Sequence, residues 1–220
     1  MFGKTVILTF DDAVSNHAQF VAPLLRELGF SATFFICEFP PDFATDKRQY
    51  MTWEQIRQLH ELGFELGNHT LNHTGVTDMT EAAFAAEFDA LERKLIENGI
   101  PRSRSFAYPG GPGSAHVHAA LRARDVRFAR IVEERPWRPA VDDSYMIPAY
   151  AVHGDGETFH RALAAGGSEA VPVLVYHGIP DHAHPWVDTA PEKFAEEMRF
   201  LASEGYRALS FFDFADSAFL

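Results

Sequence analysis

The sequence holds a single cysteine, Cys37, so no disulfide can form within the chain. Positive charge is scarce as well: 19 Lys and Arg stand against 31 Asp and Glu, a formal net charge of −12. Such a chain lacks the basic footprint that nucleic acid or an anionic membrane surface requires, and a polyanionic substrate is disfavoured for the same reason. No apolar run approaches the roughly 20 residues of a membrane-spanning helix. Nor does a basic and then apolar leader stand at the start, because Met1-Phe2-Gly3-Lys4 passes directly into a strand-like run. A cytoplasmic location is expected on that ground, or a secreted or periplasmic one if this is the mature form of an exported protein. Internal repeats, low-complexity tracts and linkers are missing, so residues 1–220 are expected to form one domain.

What the chain does have is apolar and aromatic: 46% hydrophobic residues and 20 Phe, a composition that suits a packed sheet or barrel core. Residues 5–10 (Thr-Val-Ile-Leu-Thr-Phe) read as a buried strand, and 32–37, containing Cys37, as a second. Further strands are expected at 64–67, 105–108, 127–132, 145–152, 171–176 and 207–211. Helical spacing appears between them. Residues 18–28 stop at Gly29, and Thr52 with Gln55 forms a capping box for a helix ending at Gly63. Thr80 opens a long helix with Phe84, Phe88, Leu91 and Leu95 on one stripe. Helices are also expected at 114–123 and 192–203, with 38–51 as a loop. Strands alternating with helices predict a parallel α/β sheet or barrel with helices outside.

In such folds, sites are built at the strand ends. The stretch Asn68-His69-Thr70-Leu71-Asn72-His73 follows the 64–67 strand and carries histidines at i and i+4, a spacing that converges on one face of a helical turn. Two neutral imidazoles make half a divalent metal site, Zn²⁺ first, with Co²⁺, Ni²⁺ or Mn²⁺ as further candidates. With 11 histidines in the chain, a pair at this spacing is also an ordinary surface feature. Asp11 and Asp12 end the first strand, as one metal ligand and one free base or as the cap of the next helix. His177 ends the 171–176 strand, where a general acid or a satisfied core histidine would sit. His182 and His184 follow in a loop, either solvated or forming a second metal set with His177. The glycine-rich turn from Phe106 to Gly111 can offer backbone N–H groups to an oxyanion; it lacks the Gly-Lys-Ser/Thr of a phosphate loop. Combined, a metal on Asp12, His69 and His73, a base at Asp11, an acid at His177 and the Gly110 N–H describe amide or ester hydrolysis. Of the tryptophans, Trp53 suits packing at a helix start, and Trp186, in the loop after His184, is the first candidate for a substrate contact.

The order of these motifs resembles the polysaccharide deacetylases of carbohydrate esterase family 4, which share the NodB homology domain. Thr9-Phe10-Asp11-Asp12 is similar to the first family motif, His69-Thr70-Leu71-Asn72-His73 to the second, Phe106–Gly111 to the third and Leu174-Val175-Tyr176-His177 to the fifth. The resemblance runs from residue 5 to about 211. It implies a distorted (β/α) barrel of about seven strands and a metal-dependent hydrolase that removes acetyl groups from N-acetylated sugars. Asp11 would be the base, His177 the acid, Asp12, His69 and His73 the ligands, with Tyr108, Pro109 and Gly110 lining the groove. Two features depart from the pattern. Ala107 stands where the third motif often has an Arg that pairs with the catalytic Asp, and no clean counterpart of the Asp-Trp fourth motif exists, although Trp137 and Asp142-Asp143 lie in that region. Two other readings stay open: the same site acting on an O-acetyl, formyl or cyclic-amide substrate of the allantoin type, or a carbohydrate-binding relative with little catalysis.

Overall fold

The computed structural model describes residues 2–154 and 156–218. Its frame is one parallel sheet. The strands β1 (Thr5–Phe10), β2 (Thr33–Ile36), β3 (Glu65–Asn68), β4 (Ser105–Ala107), β5 (Phe128–Arg130), β6 (Tyr150–Ala151) and β7 (Val173–Tyr176) lie in the order β5-β4-β3-β2-β1-β7-β6. The sheet curls until its two edges meet. Ile131 N donates to Ile147 O at 2.8 Å, and Ile147 N to Ala129 O at 2.8 Å, joining β5 to the segment that leads into β6. The result is a distorted seven-strand (β/α) barrel. An eighth strand, β8 (Arg207–Leu209), pairs with the first half of β1 (Thr5, Val6, Ile7), while β2 pairs with its second half (Thr9, Phe10).

The strands are short, and almost every residue in them is buried, as expected for a parallel sheet covered on both faces. Around them pack α1 (Ala22–Glu27), α2 (Trp53–Glu61), α3 (Glu81–Glu97), α4 (His118–Ala123), α5 (Glu157–Ala165), α6 (Pro191–Ser203) and α7 (Phe211–Ala218). The caps are those read from the sequence. Thr52 and Gln55 form a reciprocal capping box on α2, and the Thr80 hydroxyl accepts from Ala83 N on α3. No described helix is long and apolar enough to cross a membrane.

Several local expectations differ from the structure. The 18–28 helix begins as a π-turn, His17–Val21, before α1. The strand expected over 145–152 is reduced to Tyr150–Ala151. Helix α5 had no sequence counterpart, and the run Ser210-Phe211-Phe212 ends β8 and opens α7 instead of continuing a strand. There the Ser210 hydroxyl takes the N–H of Asp213, the side-chain cap that starts the helix.

Candidate metal and catalytic site

Five strands deliver functional groups to one end of the barrel. Asp11 and Asp12 follow β1, His69 follows β3, Gly110 lies just beyond β4, Arg130 closes β5 and His177 follows β7. Adjacent residues on a strand point to opposite faces, so Asp11 and Asp12 can share a site only if the backbone breaks from the strand. It does: Asp12 has φ +73° and Ala13 φ +52°, in the left-handed region. The two histidines also converge through a loop and not along a helical turn, with Thr70 at φ +59° and His73 at φ +52°. This corrects the helical geometry expected from the i, i+4 spacing. Four of the five non-glycine residues with positive φ among the described residues thus lie in or beside the proposed ligand set. Strain of this kind persists where surrounding contacts enforce it. Here Asn68 Oδ1 accepts from Thr70 N at 2.9 Å, the Thr70 hydroxyl accepts from Thr74 N at 3.1 Å, and Asn68 Nδ2 is anchored on buried Glu92 at 2.9 Å.

Asp12, His69 and His73 each turn one ligand atom into a cluster whose atoms all lie within 4.8 Å of one another. His69 Nε2 is 3.6 Å and His73 Nε2 3.4 Å from Asp12 Oδ1. His69 Nδ1 meets the carbonyl of Ala107 at 2.8 Å; with the proton on that nitrogen, the Nε2 lone pair faces Asp12. Burial, and after it the charge of Asp11, push the Asp12 carboxyl well above the usual range. Burial lowers both imidazoles, His73 to about 3. Asp12 is 4% exposed, and among the described residues its one hydrogen-bond donor is the weak thiol of Cys37, 3.9 Å away. A buried carboxylate flanked by neutral imidazoles and lacking a strong donor fits a divalent cation, and the one-oxygen, two-nitrogen donor set suits Zn²⁺.

Asp11 is held differently. Arg130 Nη2 donates to both of its oxygens, at 2.7 and 2.6 Å, and both side chains are buried. Burial alone would raise this carboxyl, but Arg130, then His69 and His177, outweigh it and hold Asp11 at about 2. The guanidinium missing from position 107 is therefore supplied from β5. The sequence reading left Asp11 without an Arg partner; the fold corrects this, because Arg130 sits beside Ala107 in the β4–β5 register. A signal was present: Phe-Ala-Arg-Ile-Val puts one charge inside an otherwise apolar strand.

His177 Nε2 lies 4.0 Å from Asp11 Oδ2. Burial is the main cause of its depressed pKa, about 4, so it rests neutral near pH 7. Its backbone is fixed by a residue the sequence did not flag: His17 Nε2 donates to the His177 carbonyl at 2.8 Å. The cleft above these groups holds about 330 Å³ and is lined in part by Gly110, Gly111, Val132, His184 and Trp186. Among the described residues, the Gly110 N–H donates to no partner.

Other expected groups fall elsewhere. The Tyr108 side chain packs in the core with its hydroxyl on the Tyr145 carbonyl, and Pro109 is buried outside the cleft, so neither side chain lines it. Trp137 is a core residue among Phe128, Phe211 and Phe214. Asp142 binds Arg135 and Arg138, and Asp143 lies near His118, so none of the three reaches the site as a fourth motif would. His182 is exposed, and no second metal set with His177 and His184 forms among the described residues. Trp53 donates its indole N–H to Glu38 at 2.8 Å.

The molecule is thus a parallel barrel with a carboxylate–histidine cluster and an ion-paired Asp at its strand ends. The chain belongs to the polysaccharide deacetylase family, whose sequence profile matches residues 2–129. A peptidoglycan-N-acetylglucosamine deacetylase of Bacillus cereus is 30% identical over 110 residues, covering 49% of this chain and 47% of that protein. The chain spans between 37% and 47% of the length of the curated relatives it matches. A family 4 carbohydrate esterase from Streptomyces lividans, solved with acetate, superposes with a TM-score of 0.63 at 18% identity, over 94% of this chain and 93% of that one. A CE4-family pseudoenzyme from Bacillus anthracis gives a TM-score of 0.67 at 14% identity, over 96% of this chain and 65% of that one. At these identities the two structures share the fold.

Proposed function

We propose that residues 1–220 form one catalytic domain that removes acetyl groups from N-acetylated sugars with the help of a divalent metal. The observation that carries this reading is the buried Arg130–Asp11 pair set beside the Asp12, His69 and His73 cluster, with His177 within 4.0 Å of the same carboxylate. Asp12, His69 and His73 would hold the metal, which supplies Lewis acidity toward the carbonyl and an acidified water. Asp11, ionised at any working pH, takes the proton of the attacking water. The Gly110 N–H, in the lining of the same cleft, would donate to the oxyanion. His177 rests neutral, so the proton it gives to the leaving amine must be gained in the cycle, and Asp11 is the nearest source. Val132, Ala151 and Val187 line the same cleft with apolar surface suited to a methyl group.

The shared fold with a pseudoenzyme keeps the binding-only reading in view; against it, the residues read as base, ligands and acid all line one cleft. The test is metal content together with acetate release from N-acetylglucosamine oligomers, for the parent and His69→Ala. Stoichiometric metal and acetate release, both lost in the variant, are expected. Metal without acetate release from any acetylated sugar would overturn the substrate class and favour a formyl or cyclic-amide substrate.

A further inference from the structure

The two strand ends that carry Asp11 and His177 leave the sheet together. β1 and β7 run in register up to Phe10 and Tyr176, and among the described residues the last backbone bond between them is Asp11 N to Tyr176 O at 3.0 Å. Beyond it β1 passes through the left-handed Asp12 and Ala13, and β7 through the turn 177–181. Side chains then take over from the ladder. His17 Nε2 donates to the His177 carbonyl at 2.8 Å. Asn16 pairs as a strand residue would: its Oδ1 accepts from Ile179 N at 3.0 Å, and its Nδ2 donates to the Pro180 carbonyl at 2.8 Å.

The segment that carries these two side chains is itself braced. Met51 N donates to Ala13 O and Ser15 N to Gln49 O, both at 2.8 Å, which fastens residues 13–15 to the stretch 49–51. Gln49 Nε2 in turn donates to Asp181 at 3.2 Å, and that buried carboxylate also accepts from Gly178 N at 3.1 Å. The stretches 13–17, 49–51 and 177–181 are thus each bonded to the other two. His17 is fully buried, its ring centroid 5.5 Å from that of Phe10 and 5.6 Å from that of Phe34. Burial lowers its pKa to about 4, so it is neutral near pH 7, and its one proton must sit on Nε2 to meet a carbonyl. Nδ1 is then a buried acceptor, and among the described residues it has no partner. An unmatched acceptor costs stability that a Phe or Leu in the same core would not. What the histidine supplies against that cost is the bond to His177.

We infer that Asn16 and His17 are positioning residues: together they clamp the turn that begins at His177 to the loop that begins at Asp11 and Asp12, and so fix the His177 imidazole against the base and the ligand set. The purpose of that fixed spacing rests on the deacetylase reading; the clamp itself does not. Its three bonds reach main-chain atoms 160 to 164 residues away, so the turn is held by its backbone and the His177 ring stays free to face the cleft. Neither Asn16 nor His17 lines the cleft, so both act through His177 and not on a substrate. A misplacement of about 1 Å at reacting groups can cost roughly 10²-fold in rate, which is what a clamp on the acid's backbone guards against.

The experiment compares the parent with His17→Phe, His17→Gln and Asn16→Ala, each loaded with Co²⁺. Phe keeps a ring in the core and loses the donor; Gln can place an amide N–H where Nε2 stood. Acetate release from N-acetylglucosamine oligomers gives kcat and KM. Paramagnetic shifts of the His177 ring protons report where that ring stands relative to the metal, and hydrogen exchange at the Ile179 N–H reports the Asn16 bond. Metal stoichiometry and melting check the fold. His17→Phe should lower kcat about 10–10²-fold with KM within about two-fold, and should move the His177 shifts. His17→Gln should bring both back toward the parent. Asn16→Ala should lose protection at Ile179 and lower kcat roughly ten-fold. A folded, metal-loaded His17→Phe with parental kcat and shifts would overturn the clamp, as would equal losses in His17→Phe and His17→Gln. If no protein releases acetate, but the shifts move in His17→Phe and return in His17→Gln, the deacetylase reading falls while the clamp stands. Acetate release at the parental rate in every variant has the opposite meaning. Should the parent take up no Co²⁺, Ile179 exchange decides: lost protection in Asn16→Ala supports the clamp, and unchanged protection overturns it.

Discussion

Opposite ends of the barrel treat a carboxyl group in contrasting ways. At the start of β3, Glu65 is pushed upward in pKa mainly by burial, yet it is surrounded by donors: Thr33 Oγ1, Ser105 Oγ and Phe212 N. Nothing about it calls for a ligand, although the larger cleft, about 360 Å³, opens beside it. At the other end Asp12 is buried with, among the described residues, only a distant thiol as donor, on a strained backbone, between two imidazoles. The contrast separates a satisfied structural carboxyl from one whose surroundings fit a cation, and cavity size alone does not draw that distinction.

The comparison breaks most visibly at Asp11. Asp11→Asn should lower kcat by about 10²–10⁴-fold while metal stoichiometry stays at the parent value, since Asp11 is read as the base and not as a ligand. Loss of metal in this variant would reverse the roles of the two aspartates. Arg130→Met should destabilise the fold by about 3–5 kcal/mol in urea titrations, because it leaves a buried carboxylate unpaired. A neutral result would mean that solvent or the metal compensates Asp11. Chelation should lower the melting temperature: metal at 100 times its dissociation constant contributes about 2.7 kcal/mol. Glu65→Gln must leave that metal-dependent shift intact.

The smallest effect concerns Glu65 itself. Its folded pKa lies above the unfolded value, so its stabilising contribution is complete below the ordinary carboxyl range and is lost as pH rises through the raised value. Glu65→Gln is therefore expected to compare more favourably with the parent at pH 8 than at pH 4, by about 1 kcal/mol or less. The same pH dependence in both proteins, read from urea midpoints, would remove Glu65 as its origin.

How far the sequence reached follows the same division. The cleft position of Asp11, Asp12, His69 and His177 was legible because each follows a run that announces a strand end, and that of His73 because of its spacing from His69. Arg130 was hidden because its partner lies 119 residues away and the pairing depends on β4 and β5 being neighbours. The i, i+4 histidines suggested a helix, but Thr70 and His73 are left-handed, and Thr70 is held by hydrogen bonds with Asn68 and Thr74 that periodicity does not express. Tyr108 looked like a groove residue by its place in the motif, and only the packing against Phe106 and the Tyr145 carbonyl turns it inward. Helix α7 escaped because Phe-Phe-Asp-Phe has equal claim to a strand until the Ser210 cap is placed.

Strand β1 has one further consequence, which concerns time. Both of its edges are completed late: Thr9 Oγ1 donates to Leu174 O, 165 residues onward, and Thr5–Ile7 pair with β8 at 207–209. Contacts of such separation are slow to form and cannot form on a partly synthesised chain. Asp11 stands at the end of that strand and His177 at the end of its partner, so the candidate site is among the last features to assemble. Strands β2, β3 and β4 leave synthesis before β7 and β8 exist to complete the edges of β1.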